Sequence, residues 1–390
     1  MKNYLRYTSA LLFTLLLTLV AGCRGEYEII YSSSHGTELG AQVLEGQEGQ
    51  LVGFYLLNEG NMGSNKASLD YLDFTKGVYH RNIYAEANPN VVKELGDVGN
   101  DVAIYGSKLY AVINVSNYIE VMDAKTAKHI GKIEIPNVRY VEFHKGKLYA
   151  SAYVAPVKFD ENARVGAVYE VDTATLQVER MCKVGYQPEE MVITRGRLYV
   201  ANSGGYMFPN YDRTISVVDL DTFEEVKKID VGINLHRLRL TSSDQLLVTS
   251  RGDYYDVGSS IYFIDPNTDE VVDHMDLPVS NLDIVGDLAY FYAVSWSYNT
   301  QSNTISYGVL NTRTKEIVTR NFIKDGTEED IRIPYGVRVN PINGDIYVTD
   351  AIDYVTPGTL LCYDKYGMLR WKVDTGDIPA HICFLYEKRE

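Results

Sequence analysis

Apolar and polar positions follow one another along this chain in short segments that recur as a repeated unit. The first element of the unit is an apolar–Tyr–apolar triplet, in which Leu replaces Tyr once. Its central residues are Tyr55, Tyr110, Tyr149, Tyr199, Leu247, Tyr290 and Tyr347. Neighbouring copies lie between 39 residues apart (Tyr110 to Tyr149) and 57 residues apart (Tyr290 to Tyr347). Because Tyr favours strands, each triplet predicts a strand whose Tyr packs within the protein.

The second element of each unit is an apolar pair followed by Asp or Asn. These residues are Asp73, Asp123, Asp172, Asp219, Asp265, Asn311 and Asp364. Short Asp and Asn side chains accept hydrogen bonds from the backbone two residues ahead, which starts a hairpin turn. An outgoing strand of alternating polarity then follows, as at residues 226–231. Four short strands per unit predict an all-β fold, a seven-bladed β-propeller whose blades begin near residues 52, 101, 138, 188, 237, 281 and 334.

The two ends of the repeat region predict how the ring closes. The first unit starts at residues 53–55, which match the second strand of the other units, so its inner strand is missing. Residues 378–385 near the end of the chain look like an inner strand with no partner after it. We therefore expect the C-terminal strand to pair with the first blade, because this pairing removes two exposed sheet edges.

The first 23 residues carry the pattern of a lipoprotein signal. Lys2 and Arg6 precede an apolar run over residues 11–20, and small residues lead to Cys23. This run is too short for a permanent membrane span, and several acyl chains on one Cys would anchor the protein stably. The alternative is an ordinary cleaved signal with an incidental Cys. We predict a signal peptide at residues 1–22, lipidated Cys23 with a tether to residue 50, and the propeller at residues 51–390.

Charge and cysteine content restrict the function classes. The net charge is −15, and loss of the two basic residues of the signal would make it −17. Nucleic acids and anionic lipids need a basic surface, so neither is expected as a partner. Besides Cys23, the chain has Cys182, Cys362 and Cys383, an odd number that implies no disulfide framework.

Candidate ligand-binding residues lie in the loops between second and third strands and at the starts of the blades. Both sets are expected on one face of a propeller, where a rigid scaffold presents its binding loops. The candidates are Asn58, Asn61, Asn114, Tyr153, Asn202, Tyr206, Arg237, Arg251, Tyr254, Trp296, Tyr298, Tyr335, Asp353, Tyr354 and His381. The structural alternative is that Asn and Asp satisfy turns, and that Arg237, Arg251 and His381 donate hydrogen bonds within the fold.

Motifs for catalysis are missing from the sequence. There is no H-E-x-x-H, no G-x-S-x-G, no phosphate-binding glycine loop and no EF-hand loop. We therefore expect a protein that is not an enzyme and holds no metal or cofactor. A hydrolase or lyase whose ligands come from separate blades is the alternative that this pattern leaves open.

Three segments resemble a known family. Cys23, the Asn-Glu-Gly-Asn run at residues 58–61, and residues 347–354 are similar to the BtuG-type vitamin B12-binding surface lipoproteins of Bacteroides, which are YncE-like propellers. The resemblance covers about residues 50 to 386. It implies an outer-membrane lipoprotein that faces the cell exterior, captures cobalamin as a transported ligand, and delivers it to a TonB-dependent cobalamin transporter.

The candidate residues suit that ligand chemically. A corrinoid is a broad disc edged by amides, and Tyr, Trp and Asn supply flat apolar area together with amide-pairing groups. The D-x-H-x-x-G pattern of enzymes that displace the lower base is absent, which favours capture of the intact vitamin. A surface glycan-binding module is the alternative, because the same residue types stack on sugars and pair with hydroxyl groups.

Overall fold

Residues 35–40, 51–91, 94–156, 158–160, 162–297 and 302–387 are described by the computed structural model. All of them lie in the unit Ser32–Glu390. The predicted signal peptide at residues 1–22 and the predicted lipidation site Cys23 lie outside the described residues. Within the described part of the chain, no helix is long and apolar enough to span a membrane.

The described residues form 29 strands in seven antiparallel sheets, which are the blades of a propeller. The first four strands are β1 (His35–Glu38), β2 (Leu51–Asn58), β3 (Ser68–Asp73) and β4 (Val78–Arg81). Blade 2 consists of β5 (Gly99–Tyr105), β6 (Lys108–Ile113), β7 (Tyr118–Asp123) and β8 (His129–Glu134). Blade 3 consists of β9 (Val138–His144), β10 (Lys147–Ala152), β11 (Ala167–Asp172) and β12 (Val178–Lys183). Blade 4 consists of β13 (Pro188–Thr194), β14 (Arg197–Asn202), β15 (Thr214–Asp219) and β16 (Glu224–Asp230).

The remaining blades continue the same order. Blade 5 consists of β17 (Leu235–Leu240), β18 (Leu246–Ser250), β19 (Ser260–Asp265) and β20 (Glu270–Met275). Blade 6 consists of β21 (Asn281–Val285), β22 (Leu288–Ser297), β23 (Ser302–Asn311) and β24 (Glu316–Thr319). Blade 7 consists of β25 (Pro334–Val339), β26 (Ile346–Asp350), β27 (Pro357–Tyr363) and β28 (Leu369–Asp377), and β29 (Pro379–Tyr386) follows it. A short α-helix, α1 (Ile83–Ala87), and a 3₁₀ helix (Thr327–Asp330) lie between strands.

The predicted ring closure is confirmed. Strand β29 pairs with β2, and Phe384 lies opposite Phe54 in this ladder. Both rings pack on Tyr347 of blade 7, with ring centroids 6.2 and 4.9 Å from it. The C-terminal strand therefore supplies the inner strand of blade 1, and the inner strands β5, β9, β13, β17, β21, β25 and β29 contact one another in a closed ring.

Blade 1 also has a fifth strand at its outer edge. Strand β1 pairs with β4, with His35 opposite Arg81. These four residues lie within the segment that the sequence predicts as a tether. They add to the edge of β4, which would otherwise present unpaired backbone groups.

The repeated Tyr positions pack between neighbouring blades, as predicted. Tyr110, Tyr199 and Tyr347 are fully buried. Several of the hydroxyl groups also bond to the next blade: Tyr55 donates to the Ala124 carbonyl at 2.9 Å, and Tyr199 donates to Asp269 at 2.8 Å. Tyr55 and Tyr199 therefore each supply apolar area to the packing between blades and a hydrogen bond to the next blade.

The predicted Asp and Asn turns form in all seven described blades. In blade 2, Asp123 Oδ1 accepts hydrogen bonds from the backbone of Lys125 and from both the backbone and the hydroxyl group of Thr126. The corresponding bonds occur at Asp73, Asp172, Asp219, Asp265, Asn311 and Asp364. The three cysteines among the described residues are free, and Cys182 and Cys362 are buried.

The loop prediction is confirmed for Asn114 and wrong for Trp296. Asn114 lies between the second and third strands of blade 2, where residues 114–117 form a tight turn between β6 and β7. Trp296 was expected in such a loop, but residues 295–297 continue strand β22, where Ser295 pairs with Thr304 and Trp296 with Asn303. The aromatic and β-branched residues on both strands favour this longer hairpin.

Candidate functional site

Three inner strands begin with β-bulges that bring polar side chains of different blades together. In each bulge, three steps along the inner strand match two steps along the second strand. A bulge redirects the side chains of the residues it contains, and bulges are common beside functional sites. The bulged pairs are Arg139–Tyr140 in β9, Glu189–Glu190 in β13 and His236–Arg237 in β17.

Hydroxyl groups on the second strands fix these bulges. Ser151 Oγ accepts the backbone N–H of Tyr140 at 3.1 Å and donates to the carbonyl oxygen of Glu189 in the next blade at 2.8 Å. In blade 5, Thr249 Oγ1 accepts the backbone N–H of Arg237 at 3.0 Å. The bulges are therefore satisfied internally, and their side chains hold fixed positions.

Glu189 is the centre of one buried ion-pair cluster. Its Oε2 lies 3.0 Å from Arg139 Nη2, and its Oε1 accepts a hydrogen bond from the Tyr153 hydroxyl group at 2.7 Å. Arg251 Nη1 lies farther away, 3.4 Å from Oε1. Burial disfavours the charged carboxylate, but Arg139 and Arg251 outweigh burial and hold the pKa of Glu189 below its ordinary value.

Glu190, the next residue of β13, is the centre of a second buried ion-pair cluster. Arg237 Nη1 lies 2.7 Å from its Oε1, Arg239 bonds to both carboxylate oxygens, and the backbone N–H of Leu238 donates to Oε2 at 2.9 Å. Burial again opposes ionisation, but Arg239 and Arg237 lower the pKa of Glu190 to about 2. Strands β13 and β17 are therefore joined by a charged pair that stays ionised at neutral pH.

His236 of blade 5 and Tyr140 of blade 3 lie close together in the central channel, the space that the seven inner strands surround. His236 Nε2 lies 3.2 Å from the Tyr140 hydroxyl oxygen, and Arg237 Nη1 lies 3.3 Å from the same oxygen. Burial and the nearby charges of Arg251 and Arg237 push the pKa of His236 well below its ordinary value. The imidazole is therefore neutral at physiological pH.

His236, Arg237 and Arg251 of these clusters line an open cavity of about 750 Å³, and we call the part of the lining that they form its floor. Blades 5, 6 and 7 supply the described walls. Its principal lining residues are His236, Arg237, Arg251, Tyr254, Tyr255 and Ser259 from blade 5, Ser280, Tyr292 and Ser295 from blade 6, and Tyr335 and Tyr354 from blade 7. Small-molecule sites commonly measure about 300–1,000 Å³ and combine aromatic walls with a few polar groups.

Two cavity tyrosines are presented by the same local structure. Asp253 Oδ1 accepts the backbone N–H of Tyr255 at 2.8 Å, and Asp353 Oδ1 accepts that of Val355 at 2.9 Å. The intervening residues Tyr254 and Tyr354 adopt φ values of 68° and 64°. Leu176 and Phe223 adopt similar φ values of 61° and 57° in hairpin turns of other blades, so this conformation belongs to the geometry of the turn. Tyr254 is 61 % exposed and Tyr354 is 43 % exposed, so both rings face the open cavity.

The predicted residues Tyr335 and His381 share one carboxylate. The Tyr335 hydroxyl group donates to Glu59 Oε2 at 2.8 Å, and His381 Nε2 lies 3.2 Å from Glu59 Oε1. The Tyr354 ring packs edge-on against the Tyr335 ring, with centroids 5.9 Å apart. Tyr335 therefore connects the cavity wall to the first blade, where Glu59 lies just after β2.

Tyr153 and Tyr206 lie beside the Glu189 cluster rather than in the described cavity wall. The Tyr153 ring is buried, 6.3 Å from the Tyr206 ring, and Tyr206 packs 5.6 Å from Phe159. A smaller cavity of about 330 Å³ opens next to Tyr153. Because Tyr153 and Arg251 both bond to Glu189, this aromatic group adjoins the cavity floor.

Five predicted polar residues form hydrogen bonds within the fold instead of lining the cavity. Asn58 donates to Ser68 Oγ at 3.1 Å, Asn114 to the Val138 carbonyl at 2.8 Å, and Asn202 to Ser216 Oγ at 2.9 Å. All three amides are buried, so we leave them out of the candidate site. Asn61 lies nearer the cavity, and its amide donates to the Tyr354 carbonyl at 3.0 Å. Asn61 and Asp353 thus position Tyr354, which is the structural alternative for such residues.

Two predicted aromatic residues are not placed by the structure. Tyr298 lies outside the described residues. Trp296 has a described backbone in β22, but its side chain lies outside the description. In this strand Trp296 directly follows Ser295, which lines the cavity.

Several residues of the site were not among the sequence candidates. They are Glu59, Arg139, Tyr140, Glu189, Glu190, His236, Tyr255 and Tyr292. The available signal was a pair of charged residues inside an otherwise apolar inner strand, as at Glu189 and Glu190. Such a pair breaks the strict alternation of a strand, as the extra residue of a bulge does.

The opposite mouth of the channel differs from the main cavity because its lining includes carboxyl groups. A cavity of about 420 Å³ there is lined by Asp101, Glu142, Arg239 and Arg338, among other residues. Burial, reinforced by the neighbouring Asp101, raises the pKa of Glu142 to about 7. Among the described residues, no group of three or more His, Cys, Asp or Glu side chains could hold a metal ion.

The chain matches one family over residues 52–357, and that family is described as a domain of unknown function, DUF5074. The protein belongs to the DUF5074 family. The matched residues include the bulged inner strands and the residues that line the cavity. No curated protein matches the chain.

Solved structures with similar folds come from several organisms. The hydrazine synthase of Kuenenia stuttgartiensis is 17 % identical with a TM-score of 0.57, covering 73 % of this chain and 89 % of that one. A quinonprotein alcohol dehydrogenase-like protein from Bacteroides thetaiotaomicron is 16 % identical with a TM-score of 0.55, covering 87 % and 79 %. A hypothetical selenium-binding protein from Sulfolobus tokodaii is 13 % identical with a TM-score of 0.57, covering 88 % and 96 %. At these identities the similarity shows the propeller fold alone.

Proposed function

We propose that this DUF5074 protein captures a corrinoid such as cobalamin at the cell surface and delivers it to a TonB-dependent transporter in the outer membrane. The observation that carries the proposal is the open cavity of about 750 Å³ whose aromatic walls come from three blades. A broad, rigid ligand needs contact area from several walls at once. Tyrosine supplies such area with little loss of side-chain entropy.

The polar groups of the cavity support a ligand with many amides. The hydroxyl groups of Tyr254, Tyr354 and Ser295 lie beside apolar ring surface in the cavity lining. The hydroxyl groups of Ser259, Tyr292 and Tyr335 already donate to acceptors of the protein. Hydroxyl groups donate to amide carbonyls and accept from amide N–H groups, so they suit the edge of a corrin ring. The exposure of the Tyr254 and Tyr354 rings in the cavity lining supports a binding role for them.

The proposed activity is ligand binding without a catalysed reaction. We propose no catalytic step, no resident cofactor and capture of the intact vitamin. The lipoprotein pattern that ends at Cys23 supports a membrane-anchored location. The acidic net charge of −15 supports a protein partner or a neutral ligand surface rather than nucleic acid.

A visible-absorbance titration with cyanocobalamin tests this proposal. We expect saturable binding by the wild-type protein, and we expect Tyr254→Ala and Tyr354→Ala each to weaken it. Loss of an aromatic anchor in a binding site commonly costs about 2 kcal/mol, which is roughly thirtyfold in affinity. Thermal melting should change little, because both rings are substantially exposed.

The matched control is Tyr366→Ala. Tyr366 is 70 % exposed and lies in the turn between β27 and β28, on the face opposite the loop that carries Tyr354. This variant should bind as the wild type does. If the wild-type protein leaves the cobalamin spectrum unchanged, and is instead retarded by glycans in affinity gels through Tyr254 and Tyr354, the glycan-binding alternative replaces the corrinoid proposal.

A further inference from the structure

The charge of the cavity lining is opposite in sign to that of the whole chain. The chain has 52 Asp and Glu residues against 37 Lys and Arg residues. Among the described lining residues, however, the charged side chains are Arg237 and Arg251, and none is Asp or Glu. The lining of the cavity is therefore cationic, although the chain as a whole is acidic.

Arg237 has a donor that the described residues leave without a partner. The residue is 8 % exposed, and its Nη1 is shared between Glu190 and Tyr140. Its buried Nε finds no hydrogen-bond acceptor among the described residues. A buried guanidinium N–H without an acceptor is costly, unless a ligand supplies the acceptor.

The charge of the Arg251 guanidinium group has only distant acceptors among the described residues. Its described contacts are long: Nη1 lies 3.4 Å from Glu189 Oε1 and 3.5 Å from Asn234 Oδ1. Glu189 already bonds to Arg139 and Tyr153 at shorter distances. Most of the Arg251 guanidinium donors therefore remain available on the cavity side.

The connected clusters carry an excess of positive charge. Two carboxylates, Glu189 and Glu190, face four guanidinium groups, those of Arg139, Arg237, Arg239 and Arg251. Arg239 also faces Asp283 and lines the opposite mouth, so on the side of the cavity the cationic groups exceed the anionic ones by one, and His236 is neutral. Partly buried charge without a counterion is unfavourable, so this arrangement favours an anion in the cavity.

We propose that Arg237 and Arg251 bind a phosphate-type anionic oxygen group of the captured ligand at the cavity floor. The identification of that ligand as a corrinoid rests on the function proposed above, but the anion site does not. Guanidinium groups bind phosphate through parallel N–H donors, and the surrounding low dielectric strengthens each bond. The tyrosine walls would then orient the apolar body of the ligand above its anionic group.

Calorimetric titration of the intact protein with inorganic phosphate tests the anion site by itself. The wild-type protein should bind phosphate at low ionic strength, and Arg251→Gln should weaken binding about tenfold or more, since it removes a charged hydrogen bond. Arg213→Gln is the control, because Arg213 forms an exposed pair with Asp230 outside the cavity lining. Equal binding by the wild type and Arg251→Gln, or no binding by either, would overturn the proposal.

A second variant and a second anion sharpen this test. Arg237→Lys retains the charge near Glu190 but removes the Nε donor, and it should also weaken phosphate binding while thermal melting reports its folding. Acetate should compete poorly, because it has fewer acceptor oxygens than phosphate. If acetate binds as tightly as phosphate, the site is a carboxylate site and the phosphate assignment is wrong.

Comparison of two corrinoids connects the anion site to the proposed function. Cobalamin carries a phosphodiester and cobinamide lacks it, so the wild-type protein should prefer cobalamin and Arg251→Gln should lose that preference. Phosphate binding without any corrinoid binding would contradict the proposed ligand while supporting the anion site. Corrinoid binding with an unchanged preference in Arg251→Gln would contradict the anion site alone.

Discussion

Individual titratable residues in the channel respond to pH in opposite directions. Glu190 has a pKa lowered to about 2 by its arginine partners, despite its burial, so its ion pairs stabilise the fold above its ordinary pKa and are lost as the pH falls towards 2. Glu142 has a pKa raised to about 7 by burial and by Asp101. A carboxyl group that keeps its proton in the folded state stabilises the fold fully below its unfolded pKa of about 4.5, and this contribution is lost as the pH rises through 7.

Substitution of Glu142 should therefore raise stability only at high pH. We expect Glu142→Gln, which resembles the protonated form, to match the melting temperature of the wild type at pH 5 and to exceed it at pH 8. Thermal melting at the two pH values is the measurement, with the exposed residue Glu270 changed to Gln as the control. A Glu142→Gln variant that loses as much stability as the wild type between pH 5 and pH 8 would contradict the burial that we assign to this carboxyl group.

At the scale of the element, strand β29 determines whether the ring is closed. It is the inner strand of blade 1, and its Phe384 packs with Phe54 and Tyr347 at the junction of blades 1 and 7. The bulge at its start also places His381 beside Glu59. The same strand therefore supports both the core and one wall of the candidate site.

Deletion of residues 379–390 should destabilise the whole propeller. The shortened chain loses the partner of β2 and the buried Phe384, and loss of a buried Phe side chain alone commonly costs about 3–5 kcal/mol. Such a loss is a large part of a typical stability of about 5–15 kcal/mol. We expect insoluble protein or a melting transition shifted strongly down, and a deletion limited to residues 388–390 is the control. If the deletion variant melts at the wild-type temperature with the wild-type amplitude, the ring does not depend on this pairing.

At the scale of the whole molecule, local signals predicted the fold better than the site. The Tyr55-type strands, the Asp123-type turns and the closing strand could all be predicted, because periodicity and turn chemistry depend on neighbouring residues. Contacts such as Arg139 to Glu189 depend on how bulges rotate strands of different blades, which a single sequence does not encode locally. Buried Asn202 and cavity-adjacent Asn61 could not be separated for the same reason.

The central claim is that a corrinoid binds in the cavity between blades 5, 6 and 7. Anomalous X-ray scattering from cobalt, measured on crystals of the protein with cyanocobalamin, tests it most directly. We expect one strong cobalt peak in the cavity bordered by Tyr254, Tyr335 and Tyr354, above Arg237 and Arg251. A cobalt peak at the opposite mouth near Glu142, or crystals without bound cobalt at saturating ligand, would contradict it.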